Sequence, residues 1–173
     1  MSRKIKFITR TAILLAVAIL FQFIGQAIPN YNNFIVGPVV NAVLLIATEI
    51  TGIFSGLIIS VIAPLVSAIT NKSAMAPIVL AFSPFIMAGN AILVICYALL
   101  KKVSKILAIG VGAVLKFGFL YGTILLFTSY MALNEKISLT LISLFSWPQL
   151  LTAIIGGVIA LAVFPALRRV VKD

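Results

Sequence analysis

The chain has 173 residues, of which 63% are hydrophobic and 9% charged, and its mean hydropathy is +1.28. This composition excludes a soluble domain and indicates an integral membrane protein. Apolar segments of helix length, without alternating strand patterns, predict an all-α bundle and not a barrel. The net charge is +10. Because the basic residues lie mainly at the ends of apolar segments, this charge indicates membrane topology and contact with anionic lipid headgroups, not nucleic-acid binding.

Three features of the sequence narrow the possible chemistry. There is no histidine, and the single cysteine, Cys96, lies within an apolar run. One chain therefore cannot build a disulfide framework, a thiolate metal cluster or a Ser-His triad. It also has no glycine-rich loop followed by Lys and Ser or Thr, so it lacks the usual means of hydrolysing ATP. We expect neither an enzyme nor a bound metal or cofactor.

The N-terminal segment has features of both a signal peptide and a first membrane helix. Four basic residues precede an apolar run from Thr11 to Ala27, and Gly25-Gln26-Ala27 has the small residues of a cleavage site. The run is longer than an ordinary signal core, and further apolar segments follow it instead of a secreted domain. We therefore predict an uncleaved first helix over 8–27.

Six apolar segments make up one membrane domain over residues 1–173. We predict transmembrane helices at 8–27, 38–55, 56–71, 77–100, 106–130 and 147–167. Prolines and asparagines in Pro29 to Pro38 indicate the first loop, and small residues from Thr51 to Gly56 indicate a tight turn between helices two and three. A short amphipathic segment is expected from Asn134 to Ser143.

Positive charge is distributed unequally between the two sides of the predicted bundle. One side holds ten basic residues: Arg3, Lys4, Lys6, Arg10, Lys101, Lys102, Lys105, Arg168, Arg169 and Lys172. The other side holds two, Lys72 and Lys136. Since positively charged loops stay in the cytoplasm, both termini are predicted to be cytoplasmic. The expected location is the bacterial plasma membrane, which the chain crosses several times.

Lys116 is the single charged residue in the apolar stretch from Ile106 to Tyr130. A helix rises about 1.5 Å per residue, so this stretch can cross the hydrocarbon region of a bilayer, with Lys116 near its middle. A cation at that depth is costly unless it faces a polar cavity, a counter-charge or a substrate. We therefore take Lys116 as a candidate substrate-binding residue.

Asn90 is expected close to Lys116. Helices four and five are joined by the lysine-rich loop, and Asn90 precedes Lys101 by eleven residues, just as Lys116 follows Lys105 by eleven. Both therefore lie about 16 Å from that loop and can meet. The donors of a lysine and the amide of an asparagine together suit a carboxylate, a carbonyl or the edge of a heterocycle.

Glu49 is the alternative partner of Lys116. It lies within the second predicted span, somewhat nearer the cytoplasmic side. A buried Lys116–Glu49 pair would fix the packing of the bundle without contacting a ligand. The sequence leaves both interpretations of Lys116 open.

Four residues are expected at the outer face. Trp147 and Gln149 begin the last helix, and Tyr31 and Asn33 lie in the first loop. Aromatic residues at this depth often serve as membrane-interface anchors. Alternatively, their rings could stack on a planar ligand while the amides orient it, and all four are therefore further candidate substrate-binding residues.

Pairs of small residues at four-residue spacing recur along the chain and let helices approach closely. Most of these pairs are expected to serve packing within the bundle. Ala12 and Ala16 differ because they follow Arg10 at the cytoplasmic edge of the first helix. We expect a partner subunit to dock there.

These features together resemble a known family. The chain is similar to the substrate-binding S components of energy-coupling factor (ECF) vitamin transporters in its size, its six predicted helices with both ends inside, its basic start and its Ala12-x-x-x-Ala16 motif. The segment Trp147-Pro148-Gln149 through Gly156-Gly157, and the stretch from Pro84 to Asn90, also resemble later helices of that family.

The resemblance implies a high-affinity binder of a vitamin or similar micronutrient. Such a subunit delivers its substrate to a transmembrane T component and two ATPase subunits, and its alanine motif contacts the T component, a role that falls here to Ala12 and Ala16. The family holds its substrate near the outer face, within elements that here include Asn90, Lys116, Trp147 and Gln149. By helical rise, Asn90 and Lys116 are deeper than that face.

Two other functions are compatible with the residues. A stand-alone permease or channel, acting as a homo-oligomer, would line its pathway with Lys116 and Glu49 and transport solute without a partner. A membrane-embedded structural or regulatory subunit would bind no small ligand. Association with a T component and ATPases distinguishes the first function from these two.

Overall fold

The computed structural model describes residues 2–26 and 32–171, except for the side chains at 32, 33, 168, 170 and 171. Within these residues the chain forms α-helices without strands, as predicted. The helices are α1 (Arg3–Gln26), α2 (Asn32–Ile50), α3 (Ile53–Thr70), α4 (Ala76–Leu100), α5 (Lys105–Tyr130), α6 (Glu135–Phe145) and α7 (Trp147–Val171).

In the described part of the chain, five helical segments are long and apolar enough to cross a membrane by length and composition. They are α1, α3, α4, α5 and the combined α6–α7 segment up to Leu167. The apolar part of α2, Phe34–Ile50, is shorter. The prediction of an all-α integral membrane protein is confirmed.

The second helix differs most from its predicted limits. It begins at Asn32 instead of 38 and therefore contains Pro38 in its interior. Proline usually breaks helices, but in membrane proteins neighbouring helices can compensate for the lost backbone hydrogen bond. The turn after α2 is also shorter than expected, because α3 already begins at Ile53. Gly52 makes this turn possible through its φ of +114°, a conformation that favours glycine.

The second helix is the centre of the bundle. Every residue from 41 to 48 is buried, and α2 packs against α1, α3, α4 and α7. Gly156 lets α7 approach closely, because a Cβ atom at this position would lie 2.6 Å from the Asn41 Cβ atom. Polar residues in the middle of α2 therefore face other helices and not lipid.

Both ends of the described chain lie at one end of the bundle. Thr11 near the start of α1 donates a 2.8 Å hydrogen bond to Ser55 at the start of α3. Near the end of α7, the Phe164 ring lies 4.7 Å from the Lys105 Nζ atom. We call this the lysine-loop end. It contains the α4–α5 turn and the α2–α3 turn, and it corresponds to the side predicted to be cytoplasmic.

The opposite end of the bundle is closed by aromatic packing. Phe82 packs against Phe85, Phe127 and Phe145, with ring centroids 5.2, 5.2 and 4.7 Å apart. These contacts connect α4, α5 and α6. The segment expected to be amphipathic forms α6, which continues to Phe145. Its buried residues Leu141 and Phe145 pack against the bundle.

Candidate substrate site

Three helices bring polar side chains together in the middle of the bundle. The ammonium group of Lys116 donates a 2.6 Å hydrogen bond to the amide oxygen of Asn41 and a 2.7 Å bond to that of Asn90. The three side chains are only 2–3% exposed. We call this group the lysine–amide cluster. It links α5 to both α2 and α4.

The predicted proximity of Asn90 and Lys116 is observed. Close packing of α4 and α5 contributes to it, because a Cβ atom at Gly112 would lie 3.0 Å from the Leu93 side chain, and one at Gly89 would lie 2.9 Å from Leu120. These glycines lie one turn from Lys116 and directly before Asn90, respectively. They allow the two helices to place both polar groups in one layer.

Sequence reasoning did not find Asn41. A usable indication was present, since Asn41 is a lone amide within the apolar run of α2, where an unpaired polar group would be costly. Depth can be counted from the lysine loop only along the two helices next to it, and α2 is not one of them.

Apart from a second lone pair on each amide oxygen, the hydrogen-bonding groups left over in the lysine–amide cluster are donors. Lysine has three N–H donors and no acceptor, and two donors are used by the amide oxygens. In the described part of the chain the amide nitrogens of Asn41 and Asn90 have no hydrogen-bond partner. The side-chain atoms of the described residues that are fully buried and lack a hydrogen-bond partner are Gln22 Oε1 and Thr51 Oγ1. The two amide nitrogens are not among them. Both amide nitrogens thus retain some accessible surface.

Glu49 is engaged at the lysine-loop end instead of with Lys116. Its carboxylate forms salt bridges of 2.8 Å to Lys105 and 3.4 Å to Lys101, and it accepts a 3.1 Å hydrogen bond from the Tyr97 hydroxyl. The Glu49 side chain is 4% exposed. The structure therefore differs from the interpretation in which Glu49 compensates Lys116. Lys116 contacts the neutral amides of Asn41 and Asn90 instead of a carboxylate.

The residues predicted at the outer face lie at a different depth from the lysine–amide cluster. Trp147 is 59% exposed and packs near Phe34, with ring centroids 6.0 Å apart. Along α7 it is nine residues from Gly156, the residue next to Asn41, which corresponds to about 14 Å. Gln149 is half-buried and donates to the Leu144 carbonyl oxygen at 3.2 Å. Tyr31 and the side chain of Asn33 lie outside the described residues.

A cleft is present beyond the lysine–amide cluster, away from the lysine-loop end. It has a volume of about 500 Å³ and is lined by Phe85, Thr123, Leu126, Phe127, Ser129 and Tyr130. Thr123 is seven residues from Lys116 on α5, or about 10 Å along the helix. Its hydroxyl donates to the Phe119 carbonyl oxygen at 2.8 Å.

Ala12 and Ala16 are both exposed on α1. Since they are four residues apart, they lie on the same face of the helix. Ala18, by contrast, is fully buried against the rest of the bundle. The alanine pair therefore forms a flat surface that a helix of another protein can approach closely.

Comparison of the sequence with known protein families identifies the class of membrane protein to which this chain belongs. The family described as "ECF transporter, substrate-specific component" matches residues 6–168. The chain belongs to this family. The match extends from the first turn of α1 to the last turn of α7 and includes the lysine–amide cluster and the alanine pair. A comparison with curated proteins gave no match, and neither did a comparison with solved structures.

Membership of the ECF substrate-specific components confirms the resemblance seen in the sequence. Proteins of this class are multi-pass membrane subunits that bind a substrate for transport, and they are not enzymes. The lysine–amide cluster is thus a polar site within a substrate-binding membrane subunit.

Proposed function

We propose that this ECF substrate-specific component binds a vitamin or similar micronutrient in the bacterial plasma membrane and delivers it through a T component powered by two ATPase subunits. The lysine–amide cluster is the observation that carries the proposal. An ionisable residue within a membrane bundle is by default a functional site. Here it is surrounded by neutral amides, so its charge remains available to a ligand.

The leftover donors favour a particular class of substrate. One N–H of Lys116 and the amide nitrogens of Asn41 and Asn90 all require acceptors. A carboxylate, or a ring with several carbonyl oxygens, supplies such acceptors, whereas a cationic substrate would be repelled by the lysine. We therefore propose an anionic or carbonyl-rich micronutrient.

The outer residues extend this proposed site. Trp147 and Gln149, together with Tyr31 and Asn33, would bind the part of the substrate farther from the lysine. The separation of about 14 Å along α7 suits an elongated molecule with a polar group at its inner end.

The alanine pair supports the proposed docking on a T component. Ala12 and Ala16 present little side-chain volume, so a partner helix can pack against the α1 backbone. The chain has no ATP-binding loop of its own. The energy for release of the substrate would therefore come from the two ATPase subunits through the T component.

Mass spectrometry of small molecules released from the detergent-purified protein tests this function. The wild-type protein is expected to retain a vitamin-like compound with carboxylate or carbonyl oxygens. Lys116→Met should lose most of it, because the charged donor is removed while a side chain of similar length remains. Lys136→Met is the matched control, since Lys136 is exposed at the start of α6.

Two results would contradict the proposal. Equal retention by wild type and Lys116→Met would remove the lysine from the binding site. A protein that retains no compound, does not associate with a T component and transports solute alone in liposomes would instead be a stand-alone permease.

A further inference from the structure

We propose that a cleft at the lysine-loop end binds the phosphate headgroup of an anionic phospholipid. The cleft has a volume of about 660 Å³ and lies between the start of α1 and the end of α2. The polar residues in the described part of its lining are Arg3, Lys4, Lys6, Arg10 and Thr51. We call it the basic cleft. It is separate from the lysine–amide cluster, and this inference does not depend on the proposed substrate.

The charge of the basic cleft favours a phosphate group. Arg3, Lys6 and Arg10 follow each other at three- and four-residue spacing, which places them on one face of α1. Among the residues that the structure describes, the lining of the cleft includes four basic residues and no acidic one. Several cations around one concave surface give a positive potential that concentrates anions. Guanidinium groups in particular match the oxygen geometry of a phosphate.

Thr51 adds a more specific feature than charge. Its hydroxyl oxygen is fully buried and has no hydrogen-bond partner in the described part of the chain. A buried hydroxyl without a partner is costly and is uncommon in native proteins. A phosphate oxygen in the cleft would accept its hydrogen bond after a small movement of the side chain. General attraction between a basic helix end and the membrane surface does not require this residue.

The apolar lining distinguishes a lipid from a soluble phosphate. Phe7, Ile8 and Ile50 also line the basic cleft, and Ile8 is 64% exposed. A free phosphate would leave these side chains without contacts, whereas a phospholipid places hydrocarbon next to its headgroup. The cleft lies at the end of the bundle predicted to be cytoplasmic, where headgroups of the inner leaflet are found.

Native mass spectrometry of the full chain tests this site. The protein is reconstituted with equal amounts of phosphatidylglycerol and phosphatidylcholine and then analysed for retained lipid. We expect one retained phosphatidylglycerol per chain. The double variant Lys6→Gln/Arg10→Gln should retain about tenfold less, and Thr51→Val, which removes only the hydroxyl, should retain severalfold less.

A second double variant distinguishes lipid binding in the basic cleft from general attraction of lipid to positive surface charge. Lys102→Gln/Arg169→Gln removes the same two charges from exposed positions at the same end of the bundle. It should retain phosphatidylglycerol like the wild type. Equal losses in both double variants, or unchanged retention in Thr51→Val, would overturn the proposal. Normal lipid retention combined with loss of T-component binding in Lys6→Gln/Arg10→Gln would also overturn it, because the cleft would then serve a protein partner.

Discussion

Lys116 and Asn41 are 75 residues apart in the chain, and a hydrogen bond of 2.6 Å joins their side chains in the middle of the bundle. This bond connects α5 to the central helix, and the bond from Lys116 to Asn90 connects α5 to α4. A group proposed to bind substrate therefore also holds three helices together. The two roles can be separated by substitution.

Replacing Asn41 by leucine should destabilise the bundle. The substitution leaves Lys116 with one of its two acceptors, and an unsatisfied buried donor costs about 1–3 kcal/mol. Thermal unfolding in detergent measures the loss. Because Lys116 and Asn41 are in contact, combining Asn41→Leu with Lys116→Met should cost less than the sum of the single variants. Additive losses would show that the hydrogen bond contributes little to stability.

Replacing Glu49 by glutamine should also lower stability. Glu49 is 4% exposed, and without its charge the ammonium groups of Lys101 and Lys105 lose their counter-ion. These lysines are 25% and 28% exposed and can turn toward water, so we expect a loss of about 1–3 kcal/mol and not the larger cost of a fully buried unpaired charge. Thermal unfolding gives the difference. Glu135→Gln, at an exposed position, is the control and should change stability by less than about 1 kcal/mol.

Adding a methyl group at Gly156 should disturb the contact between α7 and α2. In Gly156→Ala the new Cβ atom would lie 2.6 Å from both the Asn41 Cβ atom and the Pro38 carbonyl oxygen, so the helices must separate. Overpacking of this kind costs about 1–3 kcal/mol. Ligand binding should weaken as well, since Asn41 belongs to the lysine–amide cluster.

Gly118→Ala is the matched control for this substitution. Gly118 lies on α5, two residues after Lys116, and a Cβ atom there would have no neighbour within 4 Å. Stability and ligand binding should stay at the wild-type level, measured by thermal unfolding and by ligand titration. If both glycine variants behave alike, close approach of α7 to α2 is not required.

A bulky residue in the alanine pair should prevent transport without affecting ligand binding. Ala12→Trp places a large side chain on the exposed face of α1 and would keep a partner helix at a distance. Uptake by cells expressing the whole transporter is expected to be lost, while the purified subunit binds ligand normally. Val158→Trp, at a position that is 61% exposed on α7, should leave both properties unchanged. Loss of ligand binding in Ala12→Trp would instead show that the alanine packs within the bundle.

Most of the fold follows from the distribution of apolar residues. Long apolar runs bounded by lysines or prolines place α3, α4 and α5 within about two residues of their described limits, except for the early start of α3. The limits of α2 are harder to predict from the sequence, because Pro38 and the asparagines before it are typical of loops. Their helical conformation depends on contacts with other helices, such as the close approach of α7. A single sequence does not show these contacts.

The site was predictable only where helices are adjacent in sequence. Counting from the lysine loop places Asn90 beside Lys116, because α4 and α5 are antiparallel neighbours. The partner on α2 depends on how non-adjacent helices pack, so Asn41 was missed. The same limit applies to Glu49, for which the sequence gives a depth but not the choice among Lys101, Lys105 and Lys116.

The positions of the two amides have a consequence for the biogenesis of the protein. Ribosomes synthesise chains from the N-terminus, so the helices that carry Asn41 and Asn90 leave the ribosome before the helix that carries Lys116. Both acceptors can already be in the bilayer when the lysine enters it. When α5 inserts, the Lys116 ammonium group can therefore bind these amides at once, and it does not stay unpaired in hydrocarbon until a later helix is made. A chain with the reverse order of helices would expose an uncompensated charge to lipid during translation.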